Sequence, residues 1–198
     1  PPHIIHNYDG KYKGTISVRK ALFESRNAAT VWLVKKIGIR KVIDVAYMLG
    51  IKTELQPYPT TAIGASEVNL LELTNAYRAI ASGIVAEPYV IDKVLDNSGG
   101  TIFQAQPQTS IVPFQDVHLE MIQEGLRGVV RIPGGTAYSL TLEKFPVPLG
   151  GKTGTTNELR DALFIGFTYG SGGITVGARV GYDDNRTLGN KETGARAA

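Results

Sequence analysis

The chain of 198 residues contains no cysteine, which removes disulfides, thiol nucleophiles and cysteine-zinc sites from consideration at once. Histidine is scarce as well, and two of the three, His3 and His6, have the spacing of a helical metal pair. They stand at a proline-rich terminus without a third or fourth ligand, so the better reading is a frayed end, with no metal and no cofactor. No apolar run approaches the ~20 residues of a membrane helix. No signal peptide, internal repeat or low-complexity tract is visible. Charge of one sign is also in short supply: the net value is +3, and the basic pairs Lys35-Lys36 and Arg40-Lys41 have acids nearby. A nucleic-acid surface would cluster such residues beside exposed aromatics, so no nucleic-acid partner is expected. What remains, 42% hydrophobic and 20% charged, is ordinary globular usage in a length sufficient for one domain with a real core.

The hydrophobic pattern runs from helices to sheet. Residues 17 to 50 give three short helical patterns, with Gly38 and Gly50 suited to the positions just past a helix end. A Pro- and Thr-rich loop over 52 to 62 leads to a helix from about Ser66 to Ser82, with Leu70, Leu73, Tyr77 and Ile80 on one face. Tyr89 to Leu95 and Thr101 to Phe103 flank Asn97-Ser98-Gly99-Gly100 and predict a peripheral hairpin. A second long helix from about Phe114 to Val130 follows, and Gly134-Gly135-Thr136-Ala137 reads as the start of a short one. The core strands come last, at Leu149 to Thr156, Ala162 to Thr168 and Ile174 to Tyr182, the latter two joined through Gly170-Ser171-Gly172-Gly173. Helices before and between antiparallel strands predict an α+β domain.

Within the first of these strands lies the segment richest in chemistry, Gly150-Gly151-Lys152-Thr153-Gly154-Thr155-Thr156. On an extended backbone the Lys152 ammonium can attract a carboxylate and the hydroxyls of Thr153 and Thr155 can hydrogen-bond it. Gly154 lets another backbone approach without a Cβ in the way. The segment also matches the end of a phosphate-loop pattern, but Pro146 stands where that pattern needs its first glycine. The residues that follow, Ala162 to Thr168, form a strand pattern where a phosphate loop needs a helix N-terminus. Upstream, Ser25-Arg26-Asn27 falls between two helical patterns, Ser17 to Glu24 and Ala28 to Ile37, so Ser25 and Asn27 project from a helix junction. Alone, such a triplet is an ordinary cap or turn.

A Ser-x-Asn element followed by a Lys-Thr-Gly strand resembles the second and third of the three elements of penicillin-binding proteins and serine β-lactamases, whose first is Ser-x-x-Lys. Further stretches are similar to class A penicillin-binding proteins: Arg160-Asp161-Ala162-Leu163-Phe164, Leu188 to Ala198, Ile63 to Leu73 and Ala76 to Gly83. The resemblance covers nearly the whole chain, in the family's order. It implies the penicillin-binding transpeptidase fold, an antiparallel sheet flanked by helices, here incomplete.

The resemblance also implies an activity: serine acyl transfer that crosslinks peptidoglycan stem peptides ending in D-Ala-D-Ala, with β-lactams as inhibitors that acylate the same serine. Ser25 is then the proton relay to the leaving nitrogen, Asn27 the holder of a substrate amide and of the catalytic lysine, and Lys152 the source of positive potential. Thr153 and Thr155 bind the terminal carboxylate, beside Gly154, and the Thr155 N–H is half of the oxyanion hole. The one literal Ser-x-x-Lys, Ser17-Val18-Arg19-Lys20, lies eight positions before Ser25, where the family needs several tens. Ser17 therefore reads as a helix cap, and the nucleophile is expected outside this chain. Both ends read as excerpt boundaries, with a glycosyltransferase domain and a membrane anchor expected upstream and an extracytoplasmic location implied. A serine β-lactamase or carboxypeptidase, or a non-catalytic sensor of the same fold, would carry the same two elements.

Overall fold

The computed structural model describes residues 4–141, 146–170, 172–189 and 194–197. Helices α1 (Val18–Phe23), α2 (Asn27–Ile37) and α3 (Ile39–Met48) come first, as the pattern predicts. Ser17 does cap α1, its Oγ accepting the Lys20 N–H at 3.2 Å. α3 closes on a left-handed Gly50 (φ 99°): the Gly50 N–H reaches the Tyr47 carbonyl and the Ile51 N–H reaches that of Ala46. This is the helix-ending turn that favours glycine.

Helix α4 (Leu70–Ser82) starts four residues later than its apolar pattern suggests. The Asn69 side chain accepts the Leu71 N–H and so sets the boundary, a stronger signal than the periodicity before it. Next come four short strands, β1 (Ile84–Ala86), β2 (Lys93–Leu95), β3 (Thr101–Gln104) and β4 (Thr109–Ile111). β2 and β3 form the expected hairpin, and every residue in them is exposed, as a peripheral element requires. β1 pairs with β4 in a separate two-stranded ladder, whose three-residue strands are too short to show alternation in sequence.

Helix α5 (Asp116–Arg131) leads into the Gly134–Ala137 bend, and the short helical turn predicted there begins only at Tyr138. The last elements, β5 (Leu149–Thr155), β6 (Asp161–Thr168) and β7 (Thr175–Gly181), form a three-stranded antiparallel sheet in that order. α5 packs on β5, and α4 on β6 and β7. Phe23, Val129, Val130, Ala137, Leu149 and Phe164 form one apolar core between α1, α5 and the sheet. A second gathers Leu49, Ile51, Ala76, Ala79 and Val112 around α4. Each large side chain buried there contributes about 1.5–3 kcal/mol, and the first core lies directly beneath the two sequence elements of interest.

Candidate active site

Ser25 and Lys152 are separated by 127 positions, yet Lys152 Nζ donates to Ser25 Oγ at 2.8 Å. Ser25 gets there through the ending of α1. The Ser25 N–H bonds the Leu22 carbonyl and the Arg26 N–H bonds that of Ala21, the same pair of bonds that closes α3 at Gly50. Here the left-handed position is held by a serine, at φ 54°. For an L-residue that conformation costs about 1–2 kcal/mol, so other interactions must hold it.

An ion chain does so. Arg26 grips Asp9 with Nη1 at 2.9 and 2.8 Å to the two carboxylate oxygens, while its Nε reaches Glu24 Oε2 at 2.8 Å. Lys13 Nζ meets the same Glu24 oxygen at 2.8 Å. The Arg26 and Glu24 side chains are only 12% and 8% exposed, so these pairs sit where unpartnered charge would be costly. The Arg26 guanidinium beside Asp9 holds that carboxyl below its ordinary range. Burial pushes Glu24 up, but Lys13 and Arg26 together outweigh it and the net direction is down. Segment 4–13 supplies more than Asp9: buried Asn7 accepts the Ala28 N–H, capping α2 from a distance, and donates to the Lys11 carbonyl. No side chain caps α2 from its own N-cap position.

The opposite wall is β5. Lys152 Nζ also donates to the Thr153 carbonyl at 3.0 Å, and among the described residues no carboxylate pairs with it. Desolvation without a counter-charge pushes the ammonium down to about 8 from its ordinary 10.5. An ammonium has three donors and two are used here. Such a group is poised for an incoming anion, which would relieve the burial cost. Thr153 Oγ1 lies 2.7 Å from Thr136 Oγ1.

Asn27 and Thr155 are engaged within the chain. The Asn27 amide donates to the His6 carbonyl at 3.2 Å. Thr155 Oγ1 accepts the Gly194 N–H at 3.2 Å. The backbone that comes close to Gly154 is also the chain's own: a Cβ on Gly194 would lie 2.8 Å from Gly154 N. At the turn after β5, Thr156 Oγ1 accepts the Asp161 N–H at 2.7 Å, and Asp161 pairs with Arg179 at 2.6 Å. Asn190 to Thr193 and Ala198, in the C-terminal stretch of resemblance, lie outside the described residues, as do His3 and Ser171. Among the described residues no group of three His, Asp or Glu could hold a metal, and no helix is long and apolar enough to cross a membrane.

Sequence reasoning missed Thr136 and the ion chain. Thr136 was legible only as part of a Gly-Gly-Thr-Ala bend. Asp9, Lys13, Glu24 and Arg26 look like any surface charges until the fold brings segment 4–13 against the Ser25 turn.

The family model described as the penicillin binding protein transpeptidase domain matches residues 2–173. Among curated relatives, penicillin-binding protein 1A of Aquifex aeolicus is 35% identical over 97% of this chain and 25% of its own length. The protein of the same name from Rickettsia bellii is 34% identical over 96% of this chain and 26% of its own. The chain thus spans about a quarter of these relatives. Among solved structures, penicillin-binding protein 1A from Haemophilus influenzae superposes with a TM-score of 0.83 at 25% identity, covering 98% of this chain and 34% of that one. An imipenem acyl-enzyme complex of penicillin-binding protein A from M. tuberculosis shares the fold, with a TM-score of 0.77 at 20% identity over 98% of this chain and 48% of that one.

Proposed function

The chain belongs to the penicillin-binding protein transpeptidase family, and from that premise we propose that it forms the Lys152-bearing half of a serine D,D-transpeptidase site for peptidoglycan crosslinking. The observation that carries this reading is the hydrogen bond from Lys152 to Ser25, with a desolvated ammonium and hydroxyls along one strand. In the reaction, a serine of a Ser-x-x-Lys element outside residues 1–198 gives its proton to the neighbouring lysine and attacks the penultimate D-Ala carbonyl. The peptide C–N bond then breaks, and the proton passes through Ser25 Oγ to the leaving D-Ala nitrogen. An amine of a second stem peptide attacks the serine ester, forms the crosslink and frees the serine. Lys152 draws in the terminal carboxylate and orients Ser25. Thr153 and Thr155 hydrogen-bond that carboxylate, with Gly154 between them, and the Thr155 N–H faces the oxyanion.

The role of Asn27 is to hold the acyl donor's amide and the upstream lysine, which requires its amide to exchange the His6 carbonyl for those groups. β-Lactams would be taken by the same serine. The reaction belongs outside the cytoplasm, and the glycosyltransferase domain and membrane anchor belong to sequence outside this chain. The test is intact-protein mass spectrometry of the full-length protein after incubation with a penicillin. One penicilloyl adduct, mapped to a Ser-x-x-Lys serine outside residues 1–198, is expected. An adduct on Ser17 or Ser25, or none at all, overturns the assignment. Rapid release of the adduct by water would favour a β-lactamase.

A further inference from the structure

Thr136 bridges the two walls. Its backbone N–H donates to the carbonyl of Phe23, two residues before Ser25, and its Oγ1 meets Thr153 Oγ1, one residue after Lys152. The bend that presents it is tightly built. Ala137 is fully buried with its N–H on the Val129 carbonyl, and a Cβ on Gly135 would collide with the carbonyls of Val129 and Gly128. Thr136 is therefore held against β5 by the end of α5 on one side and by α1 on the other.

Each hydroxyl has one proton to give and two lone pairs to receive. A pair of them shares one proton and leaves the other free to point outward. An ionised carboxylate only accepts, so its arrival orders the pair in one direction: Thr136 donates to Thr153, and Thr153 donates to the ligand. Chains of this kind polarise each bond along their length. The Lys152 ammonium, on the adjacent residue, supplies the field that brings the anion there.

We propose that Thr136 is a positioning residue for carboxylate recognition, acting through the Thr153 hydroxyl. This rests on the transpeptidase reading above. The experiment compares acylation of the full-length protein by a penicillin and by the methyl ester of the same penicillin. Thr136→Val keeps the backbone bond to Phe23 and removes only the hydroxyl. It is expected to slow acylation by the free acid about tenfold, the upper end of the weight of one neutral hydrogen bond, and to leave the ester nearly unaffected. Thr136→Ser restores the wild-type preference for the acid. Should the valine variant fail to fold, Thr136→Ser against Thr136→Ala makes the same comparison, since both lack the methyl and differ in the hydroxyl. Equal slowing of acid and ester, or no slowing of either, overturns the proposal while leaving the transpeptidase reading intact. If the wild-type protein reacts with neither compound, that reading falls and this one with it.

Discussion

On the helical side of the site, Asp9, Arg26, Glu24 and Lys13 cancel one another through ion pairs, whereas on the strand side Lys152 meets, among the described residues, a hydroxyl and a carbonyl but no carboxylate. Charge on the first wall is consumed in holding a turn, and charge on the second has no carboxylate partner among the described residues. The contrast separates two uses of burial. Around Arg26 burial strengthens pairs that already exist; around Lys152 it raises the energy of a lone cation, which falls when an anion arrives.

The largest expected effect bears on the strand wall. Lys152→Ala in the full-length protein removes the charge and with it the cost of burying it, so acylation by penicillin should fall about 100-fold or more while the fold survives. A normal acylation rate with the alanine variant would make Lys152 incidental to the chemistry. Arg26→Met attacks the other wall. It leaves buried Glu24 with Lys13 as its close partner and exposed Asp9 without the guanidinium, and chemical denaturation should report a loss of about 1–3 kcal/mol. A loss under about 0.5 kcal/mol would place the chain among ordinary surface pairs and erase the contrast.

The walls also respond to opposite ends of the pH scale. Asp9 and Glu24 are depressed in the folded chain, so the stability they contribute is complete above the unfolded carboxylate range and is lost as pH falls below about 4. Lys152 has its folded value lowered to about 8 from 10.5, so the unfolded chain binds the extra proton between those values and stability rises with pH across that window. Acylation should move the other way there, falling as the ammonium deprotonates above about pH 8. Unfolding and acylation measured across pH 7 to 10 on the same preparation check the opposed slopes; parallel slopes would detach Lys152 from the chemistry. Thr155→Val gives the smallest change. It should slow acylation about 3- to 10-fold, read by the same mass-spectrometric assay, and an unchanged rate would mean that its hydroxyl serves only Gly194.

The strand wall was the more legible of the two in sequence. Its residues are consecutive, so one short segment displays lysine, hydroxyls and glycine together, and period-two patterns place them on a strand. Ser25 was legible through order with that segment, since a serine between two helices means little alone. The clamp around it was not, because Asp9 and Arg26 are joined only by the path of segment 4–13, and local patterns carry no such information. Thr136 was hidden for the same reason: its partners Phe23 and Thr153 lie on different elements. Among secondary elements, the apolar periodicity of α4 runs back past the Asn69 cap that sets its true start, and β1 and β4 are too short to show alternation.

Two helices of this chain end on the same pair of backbone bonds, one through Gly50 and one through Ser25. Glycine suits that position without strain, so Ser25→Gly relaxes a local cost of about 1–2 kcal/mol while deleting the hydroxyl that Lys152 meets. With Ser25 as the proton relay proposed above, heat resistance and acyl transfer would rank the two residues in opposite order at position 25. A library of variants selected for survival at high temperature alone would enrich glycine there and return a sturdier protein without the hydroxyl that Lys152 meets.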